Sequence, residues 1–315
     1  MNESWRQYMD LGLVQFMAFP VIKDEGPIIE SAIQIAKDDF FDVLEVRRSE
    51  QPGIHTELKA IAAQAGMKIG VGAQPGLLMG KLSLNNPDEV GRKAAIDEVK
   101  KSIDAAYEMD ARIVACLTGP DPETEEDRAQ QLDLLVDSLT QLCQYSQEKA
   151  VDYVAWISVE TFDFDVDKAC LLGPTDRAAD VMDRVKANGV SNIGLTIDLS
   201  HIPMLREDYE ESIALAGEHL IHVHVGNCVC ADKELPGYGD LHPRFGYPGG
   251  ENGVAELQRF LEVLMYSGFF RSSVPTGRPV VTFEIKPMPG ENVDIVLAQT
   301  KRIFKRAWAN IGVED

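Results

Sequence analysis

The sequence predicts an α/β fold, a single-domain (β/α)8 TIM barrel over residues 1–315, and three observations carry that prediction. Short apolar, β-branched runs alternate with stretches of helical polar/apolar spacing along the chain, the pattern of parallel βαβ units. The strand-like runs number eight, the count at which such a sheet closes on itself. The residues after the first run, FMAFPVIKDEG, lack the Gly-rich fingerprint that usually opens a doubly wound sheet.

The first run is GLVQFMAFP (12–20), followed by the helical pattern PIIESAIQIAKDD (27–39). FDVLEVRRS (41–49) leads into HTELKAIAAQAG (55–66), which closes on a Gly as helix C-termini often do. MKIGVGAQP (67–75) precedes the long pattern PDEVGRKAAIDEVKKSIDAAYEMD (87–110). ARIVACLTGP (111–120) precedes EEDRAQQLDLLVDSLTQLCQYSQEKA (125–150), and YVAWISVETF (153–162) precedes TDRAADVMDRVKANG (175–189). The last three runs are NIGLTIDLSH (192–201), LIHVHVGNC (220–228) and VVTFEIKP (280–287). ENGVAELQRFLEVLMYSG (251–268) and VDIVLAQTKRIFKRAW (293–308) follow the last two of these.

Composition is globular, with 45% apolar, 26% charged and 7% aromatic residues. The net charge of −21 repels phosphate backbones and anionic lipid, so neither nucleic acid nor a membrane is the expected partner. MNESWRQYMD shows no basic run followed by an apolar stretch, and nothing approaches the ~20 apolar residues that span a bilayer. Five scattered cysteines do not form a disulfide framework, which fits a reducing cytoplasm. Only Cys228-Val-Cys230 is close-set; two loop thiols is the preferred reading over metal or redox work.

In a barrel of this kind the C-terminal strand ends form the catalytic rim. Strand five ends ISVE with Glu160, strand six TID with Asp198, strand seven HVH with His224 and strand eight TFE with Glu284. Strand alternation turns the neighbouring aliphatics towards the helices and these four side chains inward. Two places deeper on the same face lie Ser158, Thr196, His222 and Thr282, a polar layer able to orient the first four.

Taken singly, each has an ordinary role: a salt bridge, a helix cap, a core histidine. Together, three carboxylates crowded at one rim repel each other, and a divalent cation resolves the repulsion. Two Glu, one Asp and one His form a hard, mostly oxygen donor set that suits Mn²⁺, Mg²⁺ or Co²⁺ at an open site, with Zn²⁺ also compatible.

ISVE, TIDLSH, HVHVGN and VTFEIKP, in this order on strands five to eight, resemble the xylose isomerase-like barrel superfamily of sugar (phosphate) isomerases and epimerases. The resemblance covers nearly the whole chain. It implies Glu160, Asp198, His224 and Glu284 as ligands of a divalent metal, Mn²⁺ first among the candidates. His201, three residues after Asp198, then contacts the substrate; a solvated loop histidine is the alternative. Arg244, ahead of a Pro-Gly in GYGDLHPRFGYPGGENG (237–253), looks like the substrate-binding Arg of the ketose epimerase branch. It lies further from His224 than in that branch, beyond an insertion containing CVCADKELPGYGD. His242 and Asp240 are further candidates in the same loop, and Lys286 shares the inward side of Glu284. Phe16, Phe19, Trp156, Phe162 and Tyr247 are read as packing, with stacking on a sugar ring as the alternative.

The resemblance further implies proton abstraction beside a carbonyl through an enediolate, with Glu160 and Glu284 as acid and base. No Gly-rich phosphate cradle follows strands seven and eight, which favours an unphosphorylated sugar. HPRFGYPGGENG and the NCV after strand seven also resemble the larger subunit of bacterial C-glycoside deglycosidases. In that case the same proton loss expels an aglycone from a 3-keto glycoside by β-elimination. A metal-dependent nuclease or a non-catalytic binding subunit are the remaining readings. The epimerase reading implies a homo-oligomer, the lyase reading a hetero-oligomer with a second subunit.

Overall fold

The computed structural model describes residues 4–20 and 26–312. Its strands are β1 (Asp10–Val14), β2 (Val43–Arg47), β3 (Lys68–Gly72), β4 (Ile113–Cys116), β5 (Trp156–Glu160), β6 (Ile193–Asp198), β7 (Leu220–Val225) and β8 (Val280–Phe283). They are parallel and close in sequence order, β8 returning to pair with β1. The outer helices are α2 (Ile28–Ala36), α3 (Ile54–Ala65), α5 (Glu89–Glu108), α6 (Glu125–Lys149), α7 (Thr175–Ala187), α9 (Tyr209–Ala216), α10 (Val254–Tyr266) and α11 (Val293–Asn310). Three short helices follow strands directly: α1 (Gln15–Ala18), α4 (Gln74–Gly80) and α8 (Ile202–Leu205). No helix among the described residues is long and apolar enough to cross a membrane.

The strands are shorter than the apolar runs that announce them. GLVQFMAFP leaves the sheet at Val14 and MKIGVGAQP at Gly72. The barrel wall is only four to six residues tall, and past the rim α1 and α4 satisfy the backbone that a longer strand would leave unpaired. Glu284 likewise lies one residue beyond β8, yet its N–H still donates to Val225 O at 3.0 Å.

Two faces of the strands explain the rest. Ile157, Val159, Leu195, Ile197, Val223, Val225, Val281 and Phe283 face the helices and are at most 1% exposed. They join one continuous core with Leu139, Val181, Leu257 and Phe304. Residues paired across parallel strands share a face. Glu160 pairs with Thr196, Thr196 with His222, Asp198 with His224 and His224 with Thr282. That register puts the polar residues of four successive strands on the barrel axis.

Candidate metal centre and active-site cavity

One donor atom from each of Glu160, Asp198, His224 and Glu284 lies within 4.8 Å of the others. His224 Nδ1 is the hub, 3.2 Å from Glu160 Oε1 and 2.9 Å from Glu284 Oε2. Its other nitrogen, Nε2, bonds Glu45 Oε2 at 3.0 Å. With Nε2–H given to that carboxylate, Nδ1 is the atom that would be offered to a cation, with the other ring nitrogen oriented by a carboxylate.

Glu45, from β2, also bonds His222 Nε2 at 2.7 Å through Oε1 and accepts from the Thr282 hydroxyl. Burial works to raise the Glu45 pKa, but His222 and His224 outweigh it and hold the carboxyl well below its ordinary value. His224 responds in the opposite sense: burial disfavours its charge, while Glu45 and Glu160 raise its pKa well above normal.

The residues present fit a divalent cation. Asp198 accepts from Ser200 N at 2.7 Å through Oδ1, while Oδ2 is buried with no hydrogen-bond partner. A carboxylate oxygen left bare in a fully buried residue is costly unless a cation takes it.

A second buried group stands beside the first. Asp240 Oδ1 lies 3.1 Å from His201 Nε2 and 2.7 Å from His242 Nε2, and Oδ2 lies 3.2 Å from Lys168 Nζ. His201 Nδ1 donates to Thr161 O at 2.7 Å, so both its nitrogens face acceptors and the ring is an imidazolium. Burial opposes that charge, but Asp240 and Asp198 prevail and raise the pKa to about 10. His242 behaves alike: Glu284 and Asp240 overcome burial and bring it to about 9. Burial would lower the Lys168 pKa too, yet Asp240 and Asp167 raise it.

Lys168 is placed by Asp163, whose carboxylate accepts the backbone N–H groups of Val166, Asp167, Lys168 and Ala169 at 2.7–3.1 Å. The 237–253 loop is tied equally firmly. Asn252 Nδ2 donates to Leu199 O and Gly226 O, and Gly239, at φ +96°, bridges back to Val229.

These groups border a cavity of about 190 Å³. Glu45, Glu160, His224, Asp240, His242 and Glu284 form one side; Phe16, Met17, Pro75, Leu78, Met79 and Leu241 form the other. Lys168 and Lys286 also line it. A larger cavity of about 480 Å³ adjoins at Gly72 and Met79, but it holds Arg47, Arg48 and Glu98 rather than the metal cluster.

The structure therefore brings Glu160, Asp198, His224, Glu284 and His242 together. His201 is packed beneath Asp240 and against Phe162, ring centroids 4.4 Å apart, and is not on the cavity wall. Arg244 turns away: its Nε bonds Glu291 Oε1 at 2.8 Å and its guanidinium lies over Tyr247. Of the aromatics, Phe16 and Phe162 reach the cavity, whereas Phe19 belongs to the main core. Cys228 and Cys230 are free thiols, the first buried.

A sequence profile of the xylose isomerase-like TIM barrel family matches residues 32–275. The chain belongs to that family. Among curated proteins, none matches the chain by sequence. Solved structures match it in fold. A D-tagatose 3-epimerase-like protein superposes with a TM-score of 0.69 at 20% identity, covering 96% of this chain and 98% of its own. The 3-keto-D-glucoside 4-epimerase from E. coli gives 0.66 at 13%, covering 94% and 99%. The IOLI protein, solved with a zinc atom bound, gives 0.67 at 14%, covering 97% and 100%. At such identities the likeness establishes the shared barrel.

Within this xylose isomerase-like barrel, sequence reasoning missed four contributors: Glu45, Gln74, Asp163 and Lys168. The signal for Glu45 was available, since FDVLEVRRS carries one acid amid aliphatics on the inward parity. The deeper polar layer also works differently from expectation. Ser158 and Thr196 bond each other at 2.6 Å, and His222 and Thr282 hydrogen-bond Glu45, which in turn bonds His224.

Proposed function

We propose that the chain is a divalent-metal-dependent sugar isomerase or epimerase that abstracts a proton beside a carbonyl and passes through an enediolate. One observation carries the reading: Glu160 and Glu284 both line the cavity, and both stand within 3.2 Å of the same His224 nitrogen. Glu160, Asp198, His224 and Glu284 would hold the cation, and their mostly oxygen set favours Mn²⁺, with Mg²⁺, Co²⁺ or Zn²⁺ accommodated. Bound there, the ion would supply Lewis-acid polarisation of the substrate carbonyl. One glutamate takes the proton from the adjacent carbon, and a glutamate returns one to the other face in epimerisation or to the former carbonyl carbon in isomerisation. His242, 3.8 Å from Glu284 Oε1, and Asp240 keep that end of the site charged and ordered.

The names of the similar structures support a carbonyl sugar as substrate. On this reading the partner is a small, unphosphorylated sugar, the enzyme self-associates, and five free thiols accord with the cytoplasm. The test uses protein loaded with Mn²⁺ in D₂O with D-tagatose, D-psicose, D-fructose and L-ribulose. The expected result is a gain of one mass unit in one sugar, abolished by EDTA. No exchange in protein shown to contain metal removes the reading.

The apolar side of the cavity favours a second reading, β-elimination from a 3-keto glycoside with a partner subunit. Leu78 and Met79 remain 43% and 56% exposed at the rim. A free hexose would set hydroxyls against that wall without partners, at roughly 1–3 kcal/mol each, whereas an apolar aglycone would bury it. Release of the phenol from an aryl 3-keto-glucoside, with no exchange into free ketoses, would select this reading.

A further inference from the structure

We propose that Gln74 is a positioning residue that holds one oxygen of Glu160 and offers its own carbonyl oxygen to a hydroxyl of the substrate. The proposal rests on the metal site and proton transfer just described. Gln74 opens α4, two residues past the end of β3, on the strand run whose last residues were expected to continue the sheet. It is 8% exposed and lines the cavity.

Its Nε2 donates to Glu160 Oε2 at 2.8 Å. A carboxylate only accepts, so chemistry settles which end of the carboxamide faces Glu160. The other end, Oε1, is then turned away, buried and without a hydrogen-bond partner. Buried acceptors are rarely left unmade, and this one borders a polar cavity in which a sugar hydroxyl can donate to it.

The neighbouring backbone is shaped for this carboxamide. A side chain at Gly72 would bring its first carbon to 2.9 Å from Gln74 Oε1 and 2.9 Å from Phe16 Cζ. Glycine at that inward position leaves the space that the amide occupies.

The consequence for Glu160 is a division of labour between its oxygens. Oε1 faces His224 Nδ1 at 3.2 Å and His201 Nδ1 at 3.8 Å, on the side of the metal cluster. Oε2 is fixed by an amide that neither takes nor gives a proton at ordinary pH. Glu160 is thereby held in one rotamer with its proton-transfer capacity intact. A carboxylate free to rotate would present both oxygens to the cation and lose the one that meets the substrate.

The experiment compares Gln74→Met, which keeps size without hydrogen bonding, with Gln74→Glu, which places a second acceptor against Glu160. Folding of the metal-free proteins is checked first by thermal melting. Affinity for Mn²⁺ and the visible spectrum of the Co²⁺ form are then recorded from pH 6 to pH 8 (about the working range of such groups). We expect Gln74→Met to bind Mn²⁺ about 10–100-fold more weakly, the range for residues that orient metal ligands, with a shifted Co²⁺ band. Gln74→Glu should show a steeper pH dependence of affinity than the parent. For any sugar that exchanges, KM should rise more than kcat falls.

Parental affinity and an unchanged Co²⁺ spectrum in both variants would overturn the proposal and leave Gln74 as an anchor for α4. Should Gln74→Met not fold, Gln74→Glu decides alone. A parent protein that binds neither Mn²⁺ nor Co²⁺ would instead sink the metal-dependent function itself, so the two failures are distinguishable.

Discussion

The two halves of the barrel face one axis with opposite chemistry. Each of β5 to β8 contributes polar residues inward, ending at Glu160, Asp198, His224 and Glu284. At the matching positions β1 and β3 contribute Gly12, Gly70 and Gly72, and β4 contributes Ala115. Of these, Gly12 leaves space for the other half, while Gly70 and Gly72 leave room for Glu45, Gln74 and Phe16 of their own half. A first side-chain carbon at Gly12 would lie 2.3 Å from Thr282 Oγ1, and one at Gly70 would lie 3.0 Å from Glu45 Cγ. The interior of a closed eight-stranded barrel is filled by layers of side chains, so a large residue on one strand needs a small one beside it, as Thr282 needs Gly12. The same face of β1–β3 also carries Asp10, Lys68, Arg47 and Glu45, and it is Glu45 that two histidines of the opposite half bond.

The largest effect should come from breaking the chemical half directly. Asp198→Asn should weaken Mn²⁺ binding by more than about 100-fold, above the range for residues that only orient ligands. Titration calorimetry would show it, and near-parental affinity would place the cation elsewhere. Next comes the charge that Glu45 lends to the histidines of that half. Glu45→Ala leaves His222 and His224 buried without their acceptor, at about 3–5 kcal/mol. Urea unfolding of the metal-free protein measures this; a loss under 1 kcal/mol or so would mean the halves are not coupled through Glu45.

Filling the vacancy is a milder insult. Gly12→Ala should cost about 1–3 kcal/mol because Thr282 must shift. If it is neutral, Gly12 is not there to leave space for Thr282. The imidazoles of the chemical half add a pH dependence. In the metal-free protein His201 and His242 are raised to about 10 and about 9 from an ordinary value of 6.5. Their stabilisation is thus complete below pH 6.5 and lost as pH rises through 9 to 10. The free energy of unfolding in urea should be lower at pH 10 than at pH 6, by on the order of 1 kcal/mol. A rise instead would show these rings neutral in the fold. Smallest of all, Arg244→Ala removes a partly exposed pair with Glu291 and should cost less than about 1 kcal/mol. Mn²⁺ affinity should not move; a drop would bring Arg244 back into the site.

Local repetition is the part of this architecture that the chain discloses directly. Strand alternation is a property of neighbouring residues, so ISVE, TID, HVH and TFE disclosed which side chains face inward. The count of alternating segments then disclosed the closed barrel and the strands that adjoin. That information suffices for the four candidate ligands, which stand at the ends of adjacent strands.

It does not suffice for contacts that cross the barrel or arise in loops. Glu45 meets His222 across 177 positions of sequence, and Gln74 meets Glu160 across 86. No local period relates such residues; only the closure of the sheet, with its register, sets their distance. Loop residues are further still from prediction. Arg244 and His242 stand two apart in one Gly- and Pro-rich segment, yet His242 reaches the cavity and Arg244 pairs outside it with Glu291. Their directions follow from positive-φ turns at His242 and Gly246 and from the Asn252 and Asn227 bonds that tie the loop down. Alternation along the chain thus determined the wall and the row of acids and histidine at its rim. Packing in three dimensions decided which carboxylate oxygen is left without a hydrogen-bond partner, because that depends on groups brought together from strands and loops far apart in sequence.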